Sequence, residues 1–207
     1  MACIIVLGGH GTGTSAVAQI LHHLGINMGT RLVPNRFEDW DLKNLFREVY
    51  HCRPANLDEP VANREGNNWG FKEPRLCEML DKFTSVLERL SVKNRLIAVR
   101  RDIDATAKSI TRMLKEEEWK PHRMLAEWQR KEMEKQLDTY YGPVYDVCYE
   151  TLIKDPGVHV NSLASWVGVP VTENAIECIH ESSPDIPEVK TPWLRLNNNE
   201  NALQSHR

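Results

Sequence analysis

The sequence predicts an α/β fold, a parallel sheet flanked by helices on both faces, and three observations carry this prediction. Short apolar runs rich in β-branched residues recur along the chain, as at residues 4–7 and 96–99. Segments with apolar residues at helical spacing separate these runs. A glycine-rich stretch, residues 8–15, lies between the first apolar run and the first helical segment. Strands that are apolar at successive positions are typical of parallel sheets covered by helices on both sides.

The elements follow one another along the chain as alternating strands and helices. Residues 4–7 are apolar throughout and predict a strand, whereas residues 14–24 have helical spacing and end at Gly25, a helix stop. Residues 35–50 predict a partly helical surface element, and the Pro-, Asn- and Gly-rich residues 53–68 predict a loop. A short strand at residues 69–71 and a helix at residues 77–90 follow.

The second half continues this alternation. Residues 96–99 predict a buried strand, residues 104–114 a helix, and Pro121 the first turn of a long charged helix that reaches about residue 137. A further strand is predicted at residues 144–149, and helices at residues 158–167 and 172–180. Ligands of parallel sheets bind beyond the C-terminal ends of the strands, so we expect the functional site there.

Length and composition fit one globular domain. The chain has 207 residues, of which 41% are hydrophobic and 27% charged, enough to form a core. We predict one domain over residues 1–195, a polar tail over residues 196–207, and a lid at residues 190–195. The net charge of −3 gives no general attraction to nucleic acid or to an anionic membrane, so neither is an expected partner.

The five cysteines are scattered along the chain and form no closely spaced pair. This usage is typical of reduced thiols and predicts a cytoplasmic protein. No closely spaced ligands predict a metal site. The N-terminal residues lack a basic segment followed by a long apolar run, so neither a signal peptide nor a membrane span is predicted.

The glycine-rich stretch predicts an anion site. Gly8, Gly13 and Ser15 fit the pattern G-x-x-x-x-G-K-[ST], but Thr14 stands where that pattern has lysine. A strand, a glycine-rich turn and a helix together direct backbone N–H groups and a helix N-terminus at an anion, as in a P-loop-like fold. The alternative is a tight turn with helix-capping hydroxyls. The residues predicted to hold a phosphate or sulfate are His10, Gly11, Thr12, Gly13, Thr14 and Ser15.

Basic residues follow two further predicted strands. Lys72 and Arg75 come after residues 69–71, and Arg101 comes after residues 96–99, with Ser109 in the following helix. Lysine and arginine suit phosphate or sulfate, although each group alone could be solvated surface charge. Glu38 lies in the acidic segment that follows the first predicted helix and is the candidate general base, with Asp39 and His10 as alternatives. An exposed helix start is the competing interpretation of this acidic segment.

Together, these segments resemble the sulfotransferase family, most closely its bacterial and viral branches. Their loop G-M-H-R-S-G-T-S is similar to residues 8–15, their W-E-D segment to residues 37–39 with Asn44, and their W-x-x-K-D-P-R to residues 69–75. Their R-x-P with a serine eight residues after the arginine is similar to Arg101 and Ser109, and their Y-E-D-L-x-x-D-P to residues 149–156. The resemblance runs in order from about residue 3 to residue 170.

The resemblance implies a donor and a role for each motif. The donor would be 3′-phosphoadenosine 5′-phosphosulfate (PAPS), the product 3′-phosphoadenosine 5′-phosphate (PAP), and no metal would be needed. The loop would bind the 5′-phosphosulfate, and Arg101 and Ser109 the 3′-phosphate. Lys72 and Arg75 would stabilise the phosphosulfate during transfer to a hydroxyl or amine of a small-molecule or carbohydrate acceptor. Sugars, lipids, small alcohols and tyrosyl peptides all remain open as acceptors, and the oligomeric state is not predicted.

Two departures from the family pattern keep alternatives open. Gly11 stands where the family loop has Lys or Arg, and Ile103 replaces the proline that usually follows the arginine. A non-catalytic nucleotide-binding homologue and a P-loop small-molecule kinase are therefore the alternative functions. The missing loop lysine argues against the kinase. A dinucleotide-binding fold is set aside because no second strand ends in a nearby acidic residue.

Overall fold

The fold predicted from the sequence is confirmed in a computed structural model, which describes residues 2–29, 31–33, 36–64 and 68–181. Its four strands are β1 (Ala2–Leu7), β2 (Asn68–Lys72), β3 (Lys93–Arg100) and β4 (Val144–Cys148). They form one parallel sheet in the order β2-β1-β3-β4. The helices are α1 (Thr14–His23), α2 (Trp40–Tyr50), α3 (Asp58–Ala62), α4 (Leu76–Arg89), α5 (Ile103–Leu114), α6 (Lys120–Asp138), α7 (Tyr149–Lys154), α8 (Pro156–Val167) and α9 (Glu173–Glu181).

The alternating side chains of β1 divide the core into two halves. Ile4 and Val6 pack into one cluster with apolar residues of α1, α8 and α9. Cys3, Ile5 and Leu7 pack into a second cluster with residues of α2 and α4. Because successive side chains of a strand point to opposite faces, a fully apolar β1 requires helices on both sides of the sheet.

Local signals in the sequence explain one end of each of the helices α2, α6 and α8. Asp39 caps α2, because its carboxylate accepts hydrogen bonds from the backbone N–H groups of Asp41 and Leu42 at 3.0 Å each. Pro121 lies in the first turn of α6, as predicted. Gly168, with φ of 85°, ends α8 in the left-handed conformation that favours glycine.

Two predictions about local structure were wrong. The predicted loop at residues 53–68 contains the five-residue helix α3. The strand predicted at residues 144–149 ends at Cys148, and Tyr149 instead begins α7. This turn of the chain places the Tyr149 ring beside the glycine-rich loop rather than in the sheet. The predicted lid at residues 190–195 and tail at residues 196–207 lie outside the described residues.

None of the helices in the described part of the chain is both long enough and apolar enough to cross a membrane.

Candidate functional site

A cavity of about 560 Å³ lies at the C-terminal ends of β1, β2 and β3. Parallel order brings these ends to one edge of the sheet, so segments far apart in sequence meet there. The cavity brings together ten of the residues predicted from the sequence. These are His10, Gly11, Gly13, Thr14, Ser15, Glu38, Lys72, Arg75, Arg101 and Ser109.

The loop between β1 and α1 presents an uncapped helix N-terminus to the cavity. Helix α1 begins at Thr14, no side chain caps its first turn, and no acidic residue lies there. The first N–H groups of a helix carry partial positive charge and need an acceptor. The Thr14 side chain is buried, and a Cβ on Gly8 would lie 2.8 Å from its methyl group. The backbone N–H groups at the start of α1 are therefore available to an acceptor in the cavity.

Gly13 is required by the ring of Tyr149. Its φ of 96° is left-handed, and a Cβ there would overlap the ring. The guanidinium of Arg101 lies over the Tyr149 ring, 4.5 Å from the ring centroid. Arg101 also donates from Nη1 to the carbonyl oxygen of Gly11 at 3.0 Å. Burial lowers the pKa of Arg101, and its buried Nε has no hydrogen-bond partner among the described residues.

Position 11 has no room for the cation found in the family pattern. Gly11 has a φ of 76°, and a Cβ there would lie 2.8 Å from the carbonyl oxygen of Thr106 and 3.0 Å from Ile110. Helix α5 thus occupies the space that a side chain would need. The glycine follows from the close approach of α5, and a single Gly11→Lys change would not restore a loop cation without moving the backbone.

Lys72 and Glu38 form a buried ion pair at the centre of the cavity wall. The Lys72 Nζ lies 2.7 Å from Glu38 Oε1, and it also donates to Ser15 Oγ at 3.1 Å and to the Arg36 carbonyl oxygen at 3.3 Å. Lys43 holds the other carboxylate oxygen of Glu38, with Nζ 2.7 Å from Oε2. All three N–H bonds of Lys72 thus have acceptors.

Burial and charge act differently on the two partners. Burial lowers the pKa of Lys72, although Glu38 opposes this shift. Burial alone would raise the pKa of Glu38, but Lys72 and Lys43 outweigh it and hold the pKa below its usual value. Glu38 is therefore a carboxylate at neutral pH, the form that a general base needs.

Arg75 lies at the edge of the cavity, held by two neighbours. Its Nη1 is 3.2 Å from Glu73 Oε1, and its guanidinium lies 5.7 Å from the ring centroid of Tyr50. Glu73 is buried, and burial raises the pKa of its carboxyl group. Arg75 retains donors that can meet an anion, because a guanidinium has five N–H bonds.

Three nearby residues have structural rather than cavity-facing positions. The Thr12 hydroxyl is buried and donates to the Gly9 carbonyl oxygen at 2.7 Å, and Thr12 does not line the cavity. Asp39, the alternative base, caps α2 and pairs with Arg64 at 2.7 Å. Arg100 pairs with Glu134 and Asp146, away from its neighbour Arg101. Adjacent strand residues point to opposite faces, which separates the two arginines.

The sequence alone did not single out several residues that line the cavity. Arg36 and Lys43 add positive charge, and the described lining has five cationic and two acidic side chains, although the whole chain carries −3. A single basic residue between two motifs has no neighbouring sequence pattern that would mark it as part of a site. Tyr149 begins the segment that resembles Y-E-D-L-x-x-D-P, but the resemblance implies no role for it. No group of three or more His, Cys, Asp or Glu in the described ranges could hold a metal ion.

The cavity, the loop and the parallel sheet define the class of fold: this is the α/β fold of the sulfotransferases. The described structure resembles the sulfotransferase domain of the olefin synthase of Synechococcus PCC 7002, with 19% identity and a TM-score of 0.60 over 89% of this chain and 78% of that domain. It also resembles the mouse sulfotransferase SULT7A1 complexed with PAP, with 16% identity and a TM-score of 0.55 over 87% of this chain and 64% of the mouse protein.

The sulfotransferase domain from the curacin biosynthetic pathway is a third similar structure, with 16% identity and a TM-score of 0.51. That match covers 89% of this chain and 78% of that domain. By sequence, the chain matches no family model and no curated protein. At such low identities, the likeness establishes a shared fold.

Proposed function

We propose that this protein transfers a sulfuryl group from PAPS to a hydroxyl or amine of an acceptor. One observation carries the proposal: a single cavity is lined by an uncapped helix N-terminus, by Arg101 and Ser109, and by the ion pair of Lys72 and Glu38. PAPS carries anionic groups at both ends of its adenosine. An arrangement with two separated anion sites in one cavity fits that donor.

The loop and α5 would bind the two ends of the donor. The backbone N–H groups at the start of α1 suit the 5′-phosphosulfate, because nothing in the described structure caps them. Arg101 and Ser109 suit the 3′-phosphate, since both line the cavity beside the loop. The Tyr149 ring, already stacked against Arg101, offers an apolar surface to the nucleoside.

Lys72, Arg75 and Glu38 would act on the transferring group. The acceptor oxygen or nitrogen forms a bond to sulfur while the bond from sulfur to the bridging oxygen breaks, and PAP leaves with that electron pair. Lys72 through its positive charge, and Arg75 through its remaining N–H donors, would stabilise the charge that grows on the bridging oxygen. Glu38 would take the acceptor's proton after Lys43 moves from Oε2. That movement is feasible because the Lys43 side chain is 17% exposed, against 3% for Lys72.

The apolar part of the cavity wall would face the acceptor or the adenine. Met113 and Leu114 are both lining residues at the end of α5, and both are exposed. A small-molecule or carbohydrate acceptor is our proposal, in keeping with a cavity of about 560 Å³.

Calorimetry with PAP, AMP and ATP tests the donor assignment. We expect PAP to bind far more tightly than AMP or ATP. Arg101→Ala should weaken PAP by about 10- to 100-fold and leave AMP nearly unchanged, because a charge-assisted hydrogen bond contributes about 1.5–3 kcal/mol. The matched control is Arg100→Ala, since Arg100 contacts Glu134 and Asp146 instead of the cavity.

These titrations, together with assays of turnover, distinguish the alternative functions. ATP binding as tight as PAP, with magnesium-dependent turnover, would favour a small-molecule kinase and refute the proposal. PAP binding without transfer of labelled sulfate from PAPS to a broad acceptor panel would favour a non-catalytic homologue.

A further inference from the structure

A buried amide reaches the glycine-rich loop from a helix that is otherwise largely solvated. Gln129 is 3% exposed, on the inner face of α6 with Ala126 and Met133. It lies 119 residues from His10 in sequence, yet its amide contacts both the backbone and the ring of His10. A polar group buried at this depth requires hydrogen-bond partners, so the contact is specific.

The hydrogen bonds determine which atom of the amide faces the ring. The backbone N–H of His10 can only donate, and it lies 2.9 Å from Gln129 Oε1. The oxygen is therefore at that position, and the amide nitrogen faces the imidazole, with Nε2 2.9 Å from His10 Nδ1. Gln129 Oε1 also lies 3.4 Å from Nδ1, but the nitrogen at 2.9 Å is the closer atom. Because an amide NH₂ can only donate, this shorter contact makes Nδ1 the acceptor, without a proton. A neutral imidazole then has its proton on Nε2.

Two further contacts hold the amide in this orientation. A Cβ on Gly9 would lie 2.7 Å from Gln129 Oε1 and 2.9 Å from its Cβ, so the glycine makes room for the glutamine. On the other side, Gln129 Nε2 lies 3.4 Å from Glu78 Oε1, which attracts an N–H donor and repels a carbonyl oxygen. Rotation of the amide by 180° would place two donors together at the His10 backbone N–H and two acceptors together at Glu78 Oε1.

We propose that Gln129 is a positioning residue that holds His10 as the Nε2–H tautomer, and that this N–H donates to an oxygen of the sulfuryl group being transferred. The inference rests on the proposed function, because that function supplies the anion. His10 lines the cavity, and the charged groups that act on its ring are Arg75, Lys72 and Glu38, the groups assigned to transfer. Burial lowers the pKa of His10, which favours the neutral ring.

This donor would take the place of the cation that position 11 cannot hold. A fixed N–H aimed at developing negative charge stabilises a transition state without reorganisation. The proton stays on Nε2 throughout, so His10 does not act as a base. The Nε2–H is present throughout the pH range in which the ring is neutral, so the contribution of His10 should be constant over that range.

The tautomer is measured directly in the free protein. Long-range ¹H–¹⁵N NMR correlations distinguish protonated from unprotonated ring nitrogens, and His10→Gln identifies the His10 signals by their loss. We expect Nε2 protonated and Nδ1 unprotonated at neutral pH. A protonated Nδ1 in the natural protein would overturn the inference.

Moving a carboxylate from position 78 of α4 to position 129 of α6 should reverse the tautomer of His10. Gln129→Glu is made in a Glu78→Gln background, so that the new carboxylate meets an amide, and Glu78→Gln alone is the matched control. The carboxylate accepts from both the His10 backbone N–H and Nδ1–H. We expect Nδ1 to become protonated and the transfer rate to fall as pH rises through the pKa of His10, while the control shows no such limb.

Two variants of His10 distinguish a role as N–H donor from a merely structural role. His10→Ala should lower kcat by about 100-fold, the typical loss for one fixed donor, with little change in PAP affinity because PAP lacks the sulfuryl group. His10→Gln retains an N–H near the position of Nε2 and should recover at least about tenfold of that loss. Equal rates for His10→Ala and the natural protein would overturn the donor role.

The failure of the proposed function is distinguishable from the failure of this inference. A natural protein that does not bind PAP would refute the proposed function. A natural protein that binds PAP and transfers sulfate, but has Nδ1 protonated, would refute the inference alone.

Discussion

Replacing Glu38 by glutamine tests the buried ion pair at the centre of the site. The side chains of Lys72 and Glu38 are only 3% and 5% exposed, so the variant leaves the Lys72 ammonium buried without its carboxylate. Removal of one partner of a buried pair typically costs 3–5 kcal/mol. Lys72 keeps its bonds to Ser15 and to the Arg36 carbonyl oxygen, so we expect a loss of about 3 kcal/mol in unfolding free energy at neutral pH.

The loss should shrink as the pH rises. The folded-state pKa of Lys72 is already below its ordinary value, and Glu38 is one of the groups that keep it from falling further. Without Glu38 that pKa falls, so the unfolded chain binds more protons than the folded protein over a wider alkaline range. Stability rises with pH wherever this holds. The destabilisation should therefore be smaller at about pH 9 than at about pH 7.

Urea unfolding followed by tryptophan fluorescence measures both effects. The matched control is Glu48→Gln, which removes the carboxylate from an exposed pair with Arg53 and should cost less than about 1 kcal/mol. A loss below about 1 kcal/mol for Glu38→Gln, or a loss that grows between the two pH values, would refute the reasoning about the buried lysine.

Further predictions concern the loop, the charge of the cavity and the general base. Gly13→Ala should cost about 1–3 kcal/mol of unfolding free energy and weaken PAP, because φ is 96° and the Tyr149 ring fills the space. Gly157→Ala, where nothing lies within 4 Å, should instead stabilise α8 by about 0.5–1 kcal/mol, and the reverse order of stabilities would contradict this. PAP affinity should fall as salt rises, while the affinity for uncharged adenosine stays constant; equal salt dependence would count against a cationic cavity. Glu38→Gln should lower kcat by about 100-fold or more with little change in PAP affinity, and normal turnover would reject Glu38 as the base.

The sequence predicted the sheet well because burial determines the composition of its strands. Residues 4–7 and 96–99 are apolar at every position, which is the pattern of a strand covered on both faces. The two errors concern short helices. Helices α3 and α7 have five and six residues, too few to show a helical period. Where β4 ends, at Cys148, depends on tertiary contacts that no local pattern encodes.

The site was predicted where chemistry is concentrated in short motifs, and missed where it depends on distant contacts. Lys72 ends β2, Arg101 follows β3 and Ser109 lies in α5; all three line the cavity, and their roles stay predictions. The role of Gln129 arises from a contact across 119 residues, and nothing in the surrounding charged helix marks it. The closure of position 11 likewise became visible only when α5 was placed against the loop.

The register of the sheet has a consequence for how much change the chain can tolerate between α2 and β2. Val6 of β1 pairs with Lys72 of β2, two residues before Gly8 begins the loop. The backbone pairing of β1 and β2 therefore sets the distance between Lys72 and the loop, independently of the chain that connects α2 to β2. Insertions or grafted segments between residues 51 and 57, none of which lines the cavity, should therefore leave the spacing of Lys72 and the loop unchanged.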